Sequence, residues 1–184
     1  MMWLLFWACT APETVDTAAD SGTPDTGDGL DLIAPEELPQ AKMPCREPEL
    51  STLESVVDGD TAWFTTSRGS ELVRFIGIDT PEKGYDGEPS ECFAQEAHDR
   101  AVDLLSGGRA WLTFDEECAD HYDRTLSYVH VGLGEQYFVQ RAMLQGGFAT
   151  AFAVSPNTTF ESDFSEDESL ANAGGVGLWG ACAN

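Results

Sequence analysis

Residues 53–82 read LESVVDGDTAWFTTSRGSELVRFIGIDTPE, and this stretch decides the fold. Apolar and β-branched residues run from Leu53 to Val57, from Thr61 to Thr66 and from Glu71 to Ile78, separated by Asp-Gly and Arg-Gly-Ser turns. Three short strands joined by tight turns make a β-meander. The third strand ends abruptly in two carboxylates, Asp79 and Glu82, on either side of Pro81, which fixes the backbone between them.

Working outward, a helix is predicted from about Ser90 to Leu105, with Phe93, Ala97, Ala101, Leu104 and Leu105 on one stripe and Gly107-Gly108 stopping it. Two more strands are predicted at Arg109 to Phe114 and Thr125 to Val131. A short helix over Phe138 to Leu144 is closed by Gly146-Gly147, Phe148 to Val154 is extended, and a last helix covers Phe160 to Ala171. Five short strands interrupted by helices predict an α+β, mainly β fold: a small barrel with about three packed helices, not a parallel α/β sheet. A length of 184 residues suits one such domain plus a tail.

The first nine residues, MMWLLFWAC, are apolar but too short to span a bilayer, which takes about 20 residues. They read as a signal segment in which Ala8 precedes a candidate lipidated Cys9, although a positive flank is missing. Residues 10–48 read as an acidic, disordered tether: from Thr10 to Asp28 only Val15 is a large aliphatic, and residues 29–48 are Pro- and Glu-rich and expected to pack only in part. The domain proper is expected over 49–184. This organisation implies an exported protein, in the cell envelope or secreted, a monomer that meets the membrane only through its lipid anchor.

The chain holds 9 Lys plus Arg against 33 Asp plus Glu, a net charge of −24. That charge argues against long-range attraction to nucleic acid and against a sequence-reading DNA binder, so any phosphate site must be local. Only Lys42 and Lys83 are lysines, which suits a surface that stays soluble in saline surroundings. With Cys9 set aside, Cys45, Cys92, Cys118 and Cys182 are expected to form disulfides in an exported chain. Of three possible pairings, Cys92–Cys118 with Cys45–Cys182 is favoured, because the second would tie the domain's ends together. A zinc site is disfavoured, since no C-x-x-C pair is present and the three histidines are scattered.

Four pieces point to metal-assisted phosphodiester chemistry: Asp58-Gly59-Asp60-Thr61, Arg74, Asp79-Thr80-Pro81-Glu82 and Asp123-Arg124. They supply hard oxygen ligands, a further carboxylate to handle a water, and two guanidinium groups able to grip a phosphate bidentately. Three of the pieces have a plainer reading when taken alone. Asp-Gly is a hairpin turn, Arg74 an arginine snorkelling from a strand edge, and Arg124 a surface ion pair with Asp120 or Asp123.

Together these pieces resemble the staphylococcal nuclease, or thermonuclease-like, family. The resemblance rests on VVDGDT (56–61), VRFIGIDTPE (73–82), ECFAQEA (91–97), DHYDRTLSYV (120–129), VQRAMLQGGFA (139–149) and GVGLW (175–179), in that order. It implies a five-stranded oligonucleotide/oligosaccharide-binding barrel, or OB-fold, with three helices. It further implies Asp60, Asp79 and the Thr80 carbonyl as Ca2+ ligands, Glu82 beside the attacking water, and Arg74 and Arg124 as phosphate clamps. Oxygen donors without thiolates or an imidazole pair suit calcium better than zinc. Asp58 is read as capping the turn or reaching the cation through water, slightly ahead of direct ligation.

His121 and Tyr122 stand where the family tends to carry a basic residue and a tyrosine near the terminal phosphate, so both are candidate substrate contacts. Phe152 and Val154 fall where relatives carry tyrosines that touch substrate, a departure expected to weaken nucleotide binding. His98 and His130 are assigned no role, and Trp63 and Trp111 are expected to be core aromatics. The function implied is an exported, calcium-dependent nuclease that cuts DNA, and RNA as a second substrate, with little sequence preference. Two other classes compete: a non-catalytic binding module of the same fold, and a calcium-stabilised structural domain at the cell surface.

Overall fold

The computed structural model describes residues 29–84 and 87–182. The signal segment, Cys9 and the tether up to residue 28 lie outside the described residues. Four strands come first: β1 (Glu49–Val56), β2 (Thr61–Thr66), β3 (Gly69–Phe75) and β4 (Gly77–Asp79). After α1 (Ala94–Leu104) come β5 (Arg109–Thr113) and β6 (Thr125–His130), then α2 (Val139–Gln145), β7 (Thr150–Phe152), α3 (Glu161–Ala173) and the one-turn α4 (Leu178–Ala181). The fold is α+β, mainly β, and its five long strands close into the expected barrel in the order β1-β2-β3-β6-β5.

Strand alternation explains which faces are buried. In β2, Ala62 and Phe64 point into the barrel while Trp63 and Thr65 point out. Trp63 is 38 % exposed, so it is not the core aromatic expected of it. Val73, Phe75, Leu112, Phe114 and Val129 complete the interior, each buried apolar side chain stabilising by about 1.5–3 kcal/mol. Tyr128, Phe138, Phe160 and Phe164 meet edge to face where the helices pack on the barrel. The buried Tyr128 hydroxyl donates to Asp115 Oδ2 at 2.6 Å, which satisfies both groups.

The segment expected to run unbroken from Glu71 to Ile78 is divided. Gly77, at φ +83°, turns the chain out of the barrel, and a Cβ there would stand 2.5 Å from the Phe164 ring. Beyond it, β4 pairs antiparallel with β7, setting Asp79 opposite Thr150. This break carries the acidic end of the meander to the surface.

Part of the region assigned to the tether is folded onto the barrel. Leu30 and Leu38 pack with Trp111 in a second apolar cluster, and Trp111 Nε1 donates to Leu30 O at 3.0 Å. Asp31 pairs with Arg109 at 2.8 Å. Sparse leucines among prolines suffice here because a barrel face is already in place to receive them.

The disulfides differ from the expected pairing. Cys45 is bonded to Cys118 and Cys92 to Cys182, with Cα–Cα separations of 5.7 and 5.9 Å. The Cys45 N–H donates to Asp115 O at 2.7 Å, which lays the N-terminal approach along the chain leaving β5 and so beside Cys118. Cys182 ends α4, an element not anticipated from the sequence, which brings it to the residue just ahead of α1.

Candidate active site

The turn between β1 and β2 is closed by Val57 and Asp58 N–H groups donating to Thr61 O, and by Asp60 N–H donating to Asp58 Oδ1 at 3.1 Å. Asp58 therefore caps the turn. Asp60, only 2 % exposed, points inward and accepts the Thr80 N–H at 2.8 Å and the Thr80 hydroxyl at 3.1 Å on Oδ2, with the Thr61 hydroxyl on Oδ1. Two stretches far apart in sequence are thus tied at one carboxylate.

Arg74 spans the acidic residues of both stretches. Its Nη1 lies 2.9 Å from Asp60 Oδ2 and donates to Ile78 O at 2.9 Å, while Nη2 donates to Asp79 Oδ1 at 2.8 Å. Asp60 is paired opposite a guanidinium and still titrates high: burial, reinforced by Asp58, pushes its carboxyl up to about 6. Burial and Asp60 likewise raise Asp79 against the pull of Arg74.

Glu82 follows on the exposed loop, where its N–H donates to Glu91 Oε2 at 3.0 Å and Glu91 N–H returns a bond to its carbonyl. Partial burial, then the fields of Asp60 and Asp79, raise its carboxyl above the usual range. Glu82 therefore belongs electrostatically to the same cluster.

Arg124 arrives from the loop before β6. Asp120 shapes that loop by accepting the N–H groups of Tyr122 and Arg124 on Oδ1, both at 2.9 Å, and Arg124 Nε on Oδ2 at 2.7 Å. Burial would raise Asp120, but these donors outweigh it and hold the carboxyl below its usual range. The ion pair that was the plain reading of Arg124 exists, and its effect is to aim the guanidinium. Sequence reasoning gave Asp120 no such role; its place four residues ahead of Arg124 was the available signal.

Arg74 and Arg124 line one groove of about 500 Å³, together with Asp120, His121, Phe152 and Val154. Phe152 and Val154 are 54 % and 56 % exposed, so they give the groove an apolar wall. The His121 and Tyr122 rings lie 3.7 Å apart, and Tyr122 stands at the far side of Arg124. The structure thus brings together Asp58, Asp60, Arg74, Asp79, Thr80, Glu82 and, across the groove, Arg124. His130 is buried on the outer face of the barrel against Thr113 and Phe138, and His98 sits on α1, away from the groove.

Among the described residues no three His, Cys, Asp or Glu side chains converge into a ready-made metal group. The donors on offer are the two carboxylates of Asp60 and Asp79 plus the Thr80 carbonyl. An oxygen-only set with excess negative charge, balanced by a single guanidinium, fits a hard divalent cation that keeps several waters.

The family description "Staphylococcal nuclease homologue" matches residues 72–181. The chain is 33 % identical over 130 residues to the SPbeta prophage-derived endonuclease YokF of Bacillus subtilis strain 168, covering 70 % of this chain and 43 % of that protein. It is 31 % identical to Endonuclease YncB of the same organism, covering 70 % of this chain and 60 % of the relative. With the Thermonuclease of Staphylococcus intermedius identity is 32 %, over 67 % of this chain and 72 % of the relative. The chain thus spans roughly half the length of the two Bacillus proteins. By these matches and by its barrel, the chain belongs to the staphylococcal nuclease homologue family.

Proposed function

We propose that the chain is a calcium-dependent nuclease that hydrolyses phosphodiester bonds of DNA, with RNA as a second substrate, exported and held at the cell envelope through Cys9. The observation that carries this reading is the pair of guanidinium groups, Arg74 and Arg124, lining one groove beside the Asp60–Asp79 carboxylates. The similar proteins described above are an endonuclease and a thermonuclease by name, which supports the reaction class.

The scissile phosphate is anionic, and its oxygens gather charge as water attacks in line. Arg74 and Arg124 provide planar, permanently charged forks for those oxygens. Glu82 accepts a proton from the attacking water, a task favoured by a carboxyl held above its ordinary range. Asp60, Asp79 and the Thr80 carbonyl would hold Ca2+, which would supply Lewis-acid polarisation and water positioning. Arg74 already balances both carboxylates, so a cation held by Asp60 and Asp79 would free its guanidinium for the phosphate.

The acidic surface repels a long polyanion, so KM is high and moderate salt improves it. The test is direct. Purified protein is incubated with single-stranded DNA, duplex DNA and RNA while calcium is titrated, and the cut ends are typed. Cleavage that survives excess chelator would remove the calcium assignment; no cleavage of any substrate would remove the enzyme. Mass spectrometry of protein from its native membrane tests lipidation of Cys9.

A further inference from the structure

Arg124 borders a second groove that the reaction does not use. This one, about 320 Å³, runs along the outer face of β2 and β3, where Trp63, Leu72 and Tyr122 stand beside Glu71, Asp123 and Arg124. Trp63 and Leu72 are cross-strand partners on that face. Trp63 is 38 % exposed and Tyr122 70 % exposed, and the Arg124 guanidinium carbon lies 5.6 Å from the Tyr122 ring centre. Arg124 lines both grooves, so the two adjoin at its side chain.

We propose that this groove is a second nucleotide subsite, in which a base flanking the scissile bond of a single-stranded substrate stacks on Trp63 and Tyr122. The inference rests on the nuclease reading above. Three observations select a base and a single strand. The carboxylates bordering the groove, Asp123 and Glu71, match or exceed its single guanidinium, Arg124, so the groove offers a phosphate no net attraction while an uncharged ring face is not opposed. Glu71 is already engaged by Arg46, Thr66 and Thr125, leaving it no part in gripping a ligand.

The chain also carries a net charge of −24, which opposes the approach of a polyanionic backbone, whereas stacking is indifferent to net charge. A duplex keeps its base faces stacked on one another and offers none to an aromatic platform; an unpaired strand offers every one. The outward tryptophan on β2 thus supplies affinity by a route that the acidic surface does not oppose.

The test compares Trp63→Ala and Trp63→Phe with the unaltered protein. Labelled single strands of DNA and of RNA of about eight nucleotides are used, with a dinucleotide as the short substrate. Loss of one stacked base weakens binding about fivefold to 150-fold, so the ratio of octamer KM to dinucleotide KM rises by that factor in Trp63→Ala, and Trp63→Phe recovers most of it. The factor holds between about 50 mM and about 500 mM NaCl, as a phosphate contact would not. Leu170→Ala, an exposed apolar truncation on α3, serves as control.

Octamer binding is also read by fluorescence anisotropy, which needs no turnover. Cleavage by a Trp63→Ala protein whose octamer affinity stays within twofold of the original overturns the subsite and leaves the nuclease standing. Trp63-dependent binding of single strands without cleavage supports the subsite and sinks the nuclease. A defect confined to duplex substrates overturns the proposal as well.

Discussion

Thr80 donates both its backbone N–H and its hydroxyl to one oxygen of Asp60, at 2.8 and 3.1 Å. Twenty residues separate them, and this pair of hydrogen bonds docks the β1–β2 turn onto the end of β4. The approach is close: a Cβ at Gly59 would stand 2.7 Å from Thr80 Cγ2. Gly59→Ala must therefore push Thr80 aside. We expect a loss of about 1–3 kcal/mol in urea unfolding and a larger proportional loss of kcat. Unaltered activity in Gly59→Ala would show that the turn and the strand end need not be in register for function.

Arg74 and Arg124 are both assigned to the phosphate, but they differ in what else they hold. Arg74 bridges buried Asp60 and Asp79 and also donates to Ile78 O. Arg74→Ala leaves a buried carboxylate unpaired and should cost up to about 3–5 kcal/mol of stability, less to the degree that Asp60 takes up a proton. Arg124, with its side chain 30 % exposed, pairs only at the loop. Arg124→Ala should change stability by less than about 1 kcal/mol while lowering kcat about 10²- to 10³-fold. Differential scanning calorimetry beside kinetics separates the two; equal melting losses would contradict the division.

The barrel was legible because its strands alternate and its turns carry Asp-Gly and Arg-Gly-Ser. The carboxylates and arginines were legible because they close or open those strands. What was not legible depends on distant partners. The break at Gly77 needs Phe164, 87 positions away, to explain it. Leu30 and Leu38 look like tether until Trp111 is beside them. Trp63 could have been placed outside by its register with Thr65, but a tryptophan in an apolar strand invites the core reading. Phe152 and Val154 read as departures from the family, and only the groove shows the apolar wall they form together.

The two disulfides close overlapping loops, 45–118 and 92–182, with sequence separations of 73 and 90. In the chain-entropy model, Cys45→Ser with Cys118→Ser should lower stability by about 4 kcal/mol. That loss should also free the segment carrying Leu30 and Leu38 for faster amide exchange, since Cys45 is its covalent hold on the barrel. Non-reducing peptide mapping should recover Cys45 linked to Cys118 and Cys92 linked to Cys182. A Cys92–Cys118 peptide would return the pairing favoured by sequence alone.

Two buried groups set opposite pH slopes on stability. His130 is 1 % exposed, sits 4.4 Å from the Phe138 ring with Nε2 3.0 Å from Thr113 Oγ1, and is pushed down to about 3 by burial. Below the unfolded value of about 6.5, the unfolded chain takes up a proton that the folded chain refuses, so this contribution is present above pH 6.5 and is lost as pH falls toward 3. Asp60 behaves in the opposite sense. Raised from 3.8 to about 6, it binds a proton in the folded state first, so its contribution is present below 3.8 and is lost as pH rises through 6. Between about pH 4 and 6 the two oppose each other, each with a slope of at most about 1.4 kcal/mol per pH unit. Relative to the unaltered protein, His130→Gln should therefore gain stability steadily on acidification from pH 6.5, and Asp60→Asn should lose it between pH 6 and 4. Urea unfolding at pH 7.5, 6, 5 and 4 reads both differences, and curves that stay parallel across that range would show that neither burial shift is real.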